Sequence, residues 1–206
     1  MWQNSPFGTL AENMTLVQEI TFNAAHLGCS RDEQLLFKPL SFALKSGEAL
    51  IIEGPNGIGK TTLLRVLTGL LQPLCGQISC NVPIKENVAY LGPHNAVKGL
   101  LTPKEYLNYF STFDEAVLAQ LQLTGLENKT CASLSSGQKQ RVALARIVLS
   151  KKPIWILDEP MTALDKQGEQ IFAQLLQTHL EQKGIAIIAT HHVLTENHFK
   201  KIILEP

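Results

Sequence analysis

The stretch Gly54-Pro-Asn-Gly-Ile-Gly-Lys-Thr61 decides the fold, because it fits the pattern G-x-x-x-x-G-K-[ST] between a predicted strand and a predicted helix. Its glycines let successive backbone N–H groups turn inward toward phosphate oxygens, and the helix that follows adds its positive dipole end. Lys60 supplies a positive charge for the β- and γ-phosphates, and the Thr61 hydroxyl is placed to bind Mg²⁺. The stretch therefore predicts a nucleoside triphosphate site. Its binding residues are Gly54, Pro55, Asn56, Gly57, Ile58, Gly59, Lys60, Thr61 and Thr62.

Short apolar runs alternate with helix-period segments on both sides of this loop, which is typical of an α/β fold with a mostly parallel sheet. The predicted strands are Leu40–Leu44, Ala49–Glu53, Gln77–Cys80, Val88–Leu91, Ile154–Leu157 and Ile185–Ala189. The predicted helices start at Lys60 and at Thr102-Pro103 and cover Asp114–Leu123, Ser136–Ser150 and Asp165–Glu181. We expect residues 20–206 to form one domain with a helical insertion at about 96–150. Residues 1–19 are expected to be an extension that is a candidate for disorder, with Met1 and Met14 as alternative starts.

Two adjacent acids, Asp158 and Glu159, end the apolar run that begins at Ile154. Because successive side chains on a strand point to opposite faces, we expect the two carboxylates to serve different ends of one site. Asp158 would hold Mg²⁺, and Glu159 would orient and deprotonate the attacking water as a general base. The alternative is a solvated acidic pair at the end of a strand.

The segment Leu134-Ser-Ser-Gly-Gln138 opens the long predicted helix that runs on through Arg146. Ser135 and Ser136 are expected to form the N-cap, and Gly137 permits a close backbone approach. These features predict a second anion site outside the first strand–loop–helix unit. The alternative is an ordinary capped helix.

The composition limits the classes of partner. The chain has 206 residues, with 18 basic and 18 acidic side chains, so nothing in its charge favours nucleic acid or an anionic lipid surface. The four cysteines lack metal or redox spacing and predict free thiols in a reducing compartment. No apolar run is long enough to span a bilayer, and the N-terminus does not resemble a signal peptide. We therefore expect no direct membrane insertion and a cytoplasmic location.

Taken in order, the phosphate loop, the LSSGQ segment with QRVALAR, and the Asp158-Glu159 pair resemble the ATP-binding cassette (ABC) family. The resemblance implies a P-loop NTPase core of the ABC ATPase type with a helical insertion subdomain. It also implies ATP hydrolysis with Mg²⁺ by a head-to-tail homodimer. In such a nucleotide sandwich, one copy closes over the γ-phosphate held by the other. The closing residues would be Ser135, Ser136, Gly137 and Gln138.

The resemblance assigns further positions and reveals two departures. Asp165 would reach across the dimer, and His191 would contact the γ-phosphate and take part in catalysis with Glu159 and Lys60. His94 lies where the family expects Gln, and it would bind the nucleotide-associated Mg²⁺ or water in its place. The place of the family's base-stacking aromatic residue falls near Arg31, whose guanidinium can also stack on a base.

Within this family, the segments Arg31–Phe37 and Trp155–Gly168 are similar to the CcmA group, the ATPase subunits of haem-handling cytochrome c maturation exporters. The similarity implies docking to integral membrane subunits of the CcmB type at the cytoplasmic face of the bacterial inner membrane. We expect the docking surface around Val97–Tyr109, although its apolar side chains could instead pack within the insertion. The alternatives are the ATPase of another small ABC exporter or a soluble non-transport ABC ATPase.

Overall fold

The computed structural model of the chain describes residues 19–31, 34–192 and 199–206, so the expected extension lies outside this range except for Glu19. The strands are β1 Thr21–Gly28, β2 Ser30–Arg31, β3 Gln34–Leu35, β4 Leu40–Lys45, β5 Ala49–Glu53, β6 Cys75–Cys80, β7 Val88–Leu91, β8 Ile154–Asp158, β9 Ile185–Ala189 and β10 Lys200–Ile203. The helices are α1 Lys60–Leu67, α2 Ile84–Asn87, α3 Pro103–Phe110, α4 Glu115–Gln120, α5 Ser136–Leu149 and α6 Lys166–Glu181. None of these helices is long and apolar enough to cross a membrane.

A parallel sheet of five strands forms the centre, in the order β10-β5-β9-β8-β7. Every residue of β8 and β9 is buried, because both faces of the sheet are covered and the strands are continuous apolar runs. The predicted parallel sheet is confirmed. Since parallel strands end at the same edge, the chain segments that follow Glu53, Asp158 and Ala189 meet there.

A second sheet of three antiparallel strands, in the order β4-β1-β6, was not predicted. It contains two of the predicted strands, which therefore lie outside the parallel sheet. β1 was not predicted, because its alternation of buried residues breaks at a register shift between Ala24 and Leu27. β10 was not predicted, because it begins with two lysines. Lys200 pairs with Glu48, and Lys201 pairs with Glu53 of β5.

Between β7 and β8 the chain forms helices and no strand. The cap of α3 is the one that the sequence predicts, since Thr102 and Glu105 form a reciprocal capping box and Pro103 is the first helical residue. α4 is shorter than the predicted segment, because Asp114 caps it and Gln122 turns into the left-handed region with φ 55°.

A buried histidine joins the end of α6 to the starts of β8 and β9. The His179 ring stacks on Trp155, with ring centroids 3.9 Å apart and an angle of 11° between the planes. Its Nε2 lies 3.1 Å from the carbonyl oxygen of Ile185. Burial lowers the pKa of His179 to about 4, so the folded chain holds this ring neutral at physiological pH.

We expect acid to destabilise the fold through His179. The unfolded chain takes up a proton near pH 6.5, whereas the folded ring resists protonation until about pH 4. The free energy of unfolding therefore keeps its full value above pH 6.5 and falls as the pH falls, by about 2 kcal/mol between pH 7 and pH 5. Urea unfolding at both pH values should show this extra loss in the wild type relative to His179→Gln. Equal pH dependence in the two proteins would contradict the assignment.

Candidate nucleotide site

The glycine-rich loop joins β5 to α1 at the sheet edge. Gly59 has φ 116°, a left-handed value that favours glycine, and a Cβ there would lie 2.9 Å from Cδ1 of Leu36. Lys60 is 8% exposed, and its Nζ donates hydrogen bonds to the carbonyl oxygens of Gly54 at 2.7 Å and Pro55 at 3.3 Å. The loop therefore curls around the lysine ammonium group, with the N-terminus of α1 beside it.

A hydroxyl and a carboxylate meet next to this loop. Thr61 Oγ1, in the first turn of α1, donates a hydrogen bond of 2.6 Å to Oδ2 of Asp158 at the end of β8. Burial raises the pKa of the Asp158 carboxyl, and the Thr61 hydrogen bond opposes that rise. Mg²⁺ prefers oxygen ligands of these two kinds, so the pair fits this cation.

The pair does not form a complete metal cage. Within the described ranges, no group of three or more His, Cys, Asp or Glu side chains gathers to hold a metal ion. A cation between Thr61 and Asp158 would therefore take its remaining ligands from phosphate oxygens and water, which is the usual way that Mg²⁺ binds with nucleotides.

Glu159 leaves the strand in an unusual conformation. Its φ of 50° lies in the left-handed region, which costs a residue with a side chain about 1–2 kcal/mol. Its backbone N–H donates to the carbonyl oxygen of Ala189 at 2.8 Å, which fixes this turn against the end of β9. Strand alternation was the predicted reason for the different directions of Asp158 and Glu159. That reason is wrong for Glu159, because β8 ends at Asp158.

The Glu159 carboxylate lies beside His191. Nδ1 of His191 is 2.9 Å from Oε2 of Glu159, while the His191 side chain remains 65% exposed. Oε2 is buried, yet no donor reaches it with hydrogen-bond geometry. A buried acceptor of this kind can bind a water molecule or a ligand hydroxyl.

The phosphate loop, the Thr61–Asp158 pair and Glu159 line one cavity of about 170 Å³, whereas His191 is not among its lining residues. Its lining residues are Arg31, Asn56, Gly57, Gly59, Lys60, Thr61, Thr62, Asp158 and Glu159. Arg31 thus lines the same cavity as the phosphate loop, and its contact with a base stays a prediction. Phe37, the nearest aromatic residue along the chain, is 1% exposed and belongs to the core.

The other candidate residues do not line this cavity. His94 is exposed in the segment after β7, and Asp165 caps α6. Ser135 caps α5, because its hydroxyl accepts a hydrogen bond of 3.1 Å from the backbone N–H of Gln138. In turn, Oε1 of the Gln138 side chain accepts a hydrogen bond from the backbone N–H of Ser135. The expectation that Ser136 shares the cap is wrong, because Ser136 is the first residue of the helix.

The starts of α5 and α6 are fixed against each other. A Cβ at Gly137 would lie 2.8 Å from the carbonyl oxygen of Ala163, so the predicted close approach is present and its partner is the segment before α6. Arg141 Nη2 lies 2.6 Å from Oδ1 of Asp165, which also accepts the N–H of Gly168 at 2.8 Å. The Gly168 amide and the Arg141 guanidinium lower the pKa of Asp165.

Two contacts near the site had no role in the sequence analysis. Nδ1 of His192 lies 3.2 Å from Oε1 of Glu169 in α6. Arg146 Nη2 donates to the carbonyl oxygen of Tyr90 at 2.8 Å, and its guanidinium lies 5.2 Å from the Phe110 ring. The only sequence signal for Arg146 was a charge within an apolar helix segment, and His192 had none beyond its position after His191.

The loop, the Thr61–Asp158 pair and Glu159, which directly follows Asp158, define a P-loop nucleotide-binding protein. Residues 37–162 match the family described as ABC transporter. The chain belongs to this family of ATP-binding proteins, which confirms the resemblance found in its motifs.

Comparisons with individual proteins also place the chain among ATP-binding subunits of ABC transporters. The chain is 44% identical over 185 residues to the cytochrome c biogenesis ATP-binding export protein CcmA of Pseudomonas fluorescens. The matched segment covers 82% of this chain and 88% of that protein. A putative ABC transporter ATP-binding protein from Pyrococcus furiosus has a TM-score of 0.77 and 27% identity, covering 89% of this chain and 97% of its own. A dimeric ATP-binding cassette solved in a post-hydrolysis state with ADP and Pi has a TM-score of 0.76 at 22% identity, covering 89% and 94%, and shows the shared fold.

Proposed function

We propose that the chain is the ATP-hydrolysing subunit of an ABC exporter complex that serves the haem-handling step of cytochrome c maturation. The observation that carries the ATPase part is the meeting of Lys60, the Thr61–Asp158 pair and Glu159 around one cavity. The similarity to CcmA over most of both chains supports the biological role. In this proposal residues 20–206 act as one ATPase domain with a helical subdomain at about 96–150.

The geometry suggests a role for each group in ATP binding. The loop N–H groups and Lys60 would hold the β- and γ-phosphates. Thr61 and Asp158 would hold Mg²⁺, which supplies charge neutralisation at the phosphate oxygens when bound. The remaining residues of the loop, Gly54 to Gly59 and Thr62, would shape the phosphate cradle.

Hydrolysis would fall to Glu159 and His191. The buried Oε2 of Glu159 lies close to His191 but accepts no hydrogen bond of good geometry, so it can accept one, and then a proton, from the attacking water. His191, 2.9 Å from that oxygen, would contact the γ-phosphate. In this proposal the two acids perform separate tasks, since Asp158 bonds to Thr61 whereas Glu159 lies beside His191.

A head-to-tail homodimer would complete the site. Ser135, Ser136, Gly137 and Gln138 lie outside the cavity of their own chain, as does Asp165. In the proposed dimer they contact the nucleotide held by the other copy, with the N-terminus of α5 directed at the γ-phosphate. His94 is exposed, so its proposed contact with Mg²⁺ requires the segment after β7 to move inward.

We expect Glu159→Gln to bind ATP, accumulate as a closed dimer and hydrolyse ATP at least about a hundredfold more slowly, because the general base is lost. Lys60→Ala should lose nucleotide binding. Phosphate release, a fluorescent ATP analogue and gel filtration with ATP measure the three properties. Glu86→Gln, which changes an exposed glutamate on α2, is the matched control. Full ATPase activity in Glu159→Gln would rule out the general-base role.

The exposed face of the insertion suits a protein partner. Leu100 is 93% exposed and Tyr109 is 82% exposed, whereas Tyr106 is buried and Leu101 packs against the core. Of the apolar side chains in the expected docking region, Leu100 and Tyr109 are therefore available to a partner. The proposed partner is an integral membrane subunit of the CcmB type, which would hold the chain at the cytoplasmic face of the bacterial inner membrane.

We expect Leu100→Asp and Tyr109→Asp to abolish co-purification with the membrane subunit, because a charge at an apolar interface loses its water without gaining a partner. ATP binding by the isolated chain should remain within about twofold of wild type, since neither residue lines the cavity. Ile203→Asp is the control, because Ile203 is also an exposed apolar residue but lies on β10. If both variants co-purify with the membrane subunit as the wild type does, Leu100 and Tyr109 are not part of the docking surface.

The cellular role is tested by replacing the chromosomal copy with Glu159→Gln and staining a denaturing gel for covalently bound haem. We expect the c-type cytochrome bands to disappear and to return when the wild-type copy is supplied. Unchanged bands would leave the ATPase proposal standing, and would favour another small ABC exporter or a non-transport ABC ATPase.

A further inference from the structure

The end of β9 directs two consecutive histidines to two different acids. Thr190 is 1% exposed, and its Oγ1 accepts a hydrogen bond of 3.0 Å from the backbone N–H of His192. His191 Nδ1 lies 2.9 Å from Glu159, and His192 Nδ1 lies 3.2 Å from Oε1 of Glu169. The two imidazole rings are themselves in contact, with centroids 4.5 Å apart.

Glu169 is carried by a firmly packed helix. Glu169 belongs to the first turn of α6, whose inner face is buried through Ile171 and Phe172. That turn is further fixed by the cap at Asp165 and its contact with Arg141. The backbone at Glu169 is therefore fixed, whereas His191 is a largely exposed side chain that follows a strand.

We propose that His192, through its contact with Glu169, is a positioning residue that holds His191 beside Glu159 during ATP hydrolysis. This inference rests on the proposed ATPase function. An imidazole with a proton on Nδ1 can donate to the Glu169 carboxylate whether the ring is neutral or charged. An Asp at position 192 would instead place two like charges together.

The contact is suited to orientation rather than to stability. Both side chains are partly exposed, at 31% for His192 and 38% for Glu169, and such pairs add little to folding. A small displacement of a catalytic group, by contrast, reduces the rate strongly. Loss of the pair should therefore lower kcat while leaving the fold and nucleotide binding intact.

The test compares Glu169→Gln, His192→Gln and the double variant of the full chain for kcat and KM with Mg²⁺-ATP. Each single change should lower kcat roughly five- to tenfold, with KM within about twofold of wild type. The double variant should be no slower than the slower single variant, because both changes weaken the same contact. Glu205→Gln, which breaks the exposed Lys38–Glu205 pair of 3.5 Å, should leave kcat unchanged.

A reversed pair gives an independent test. His192→Asp should be slower than His192→Gln, because it faces Glu169 with the same charge. Combining His192→Asp with Glu169→Lys should restore kcat to within about threefold of wild type. A merely structural role would not produce this rescue. If the His192 variants fold poorly by thermal unfolding, Glu169→Gln alone decides through its kcat and KM.

Unchanged kcat in Glu169→Gln, additive losses in the double variant, or a change in KM alone would overturn the proposal. The wild type and Glu159→Gln in the same assay separate this failure from that of the proposed function. An active wild type with unaffected pair variants removes only the role of His192. A wild type that does not hydrolyse ATP removes both.

Discussion

The hydrogen bond between Thr61 and Asp158 joins the two halves of the catalytic edge, and the rest of the site is arranged around it. Thr61 belongs to the helix that follows the glycine-rich loop, and Asp158 ends a fully buried strand. The bond is possible only because β5, β9 and β8 are neighbours in a parallel sheet, which brings their carboxyl ends to one edge. The side-chain oxygens of two residues that are 97 positions apart in sequence thereby come within 2.6 Å of each other.

A two-stranded hairpin, β2–β3, which is separate from the three-stranded sheet, also contributes to this edge. The segment after the hairpin contains Leu36 and Phe37, which lie against Gly59 so closely that a side chain at position 59 would collide with them. The hairpin itself carries Arg31, which lines the cavity. The hairpin and the residues that follow it therefore support the phosphate loop and supply a charged group to the cavity.

The sequence predicted those parts of the structure that depend on local chemistry. The phosphate loop, the cap at Thr102 and the strand that ends at Asp158 were all predicted, because each rests on residue types within a few positions. β1 was missed because a bulge interrupts its period, and the left-handed turn at Glu159 was missed because its cause is a bond to Ala189 in another strand. The His192–Glu169 contact was equally hidden, since it depends on where α6 packs.

The division of the candidate residues between two places has a physical consequence. Gly137 lies against Ala163, and Arg141 holds Asp165, so the starts of α5 and α6 form one rigid unit away from Lys60. This unit holds Ser135 and Asp165 outside the cavity that Lys60 lines. The proposed dimer satisfies both halves at once and leaves Leu100 and Tyr109 facing outward. The chemistry of ATP would then be common to the whole family, while the choice of transport partner would depend on that exposed face.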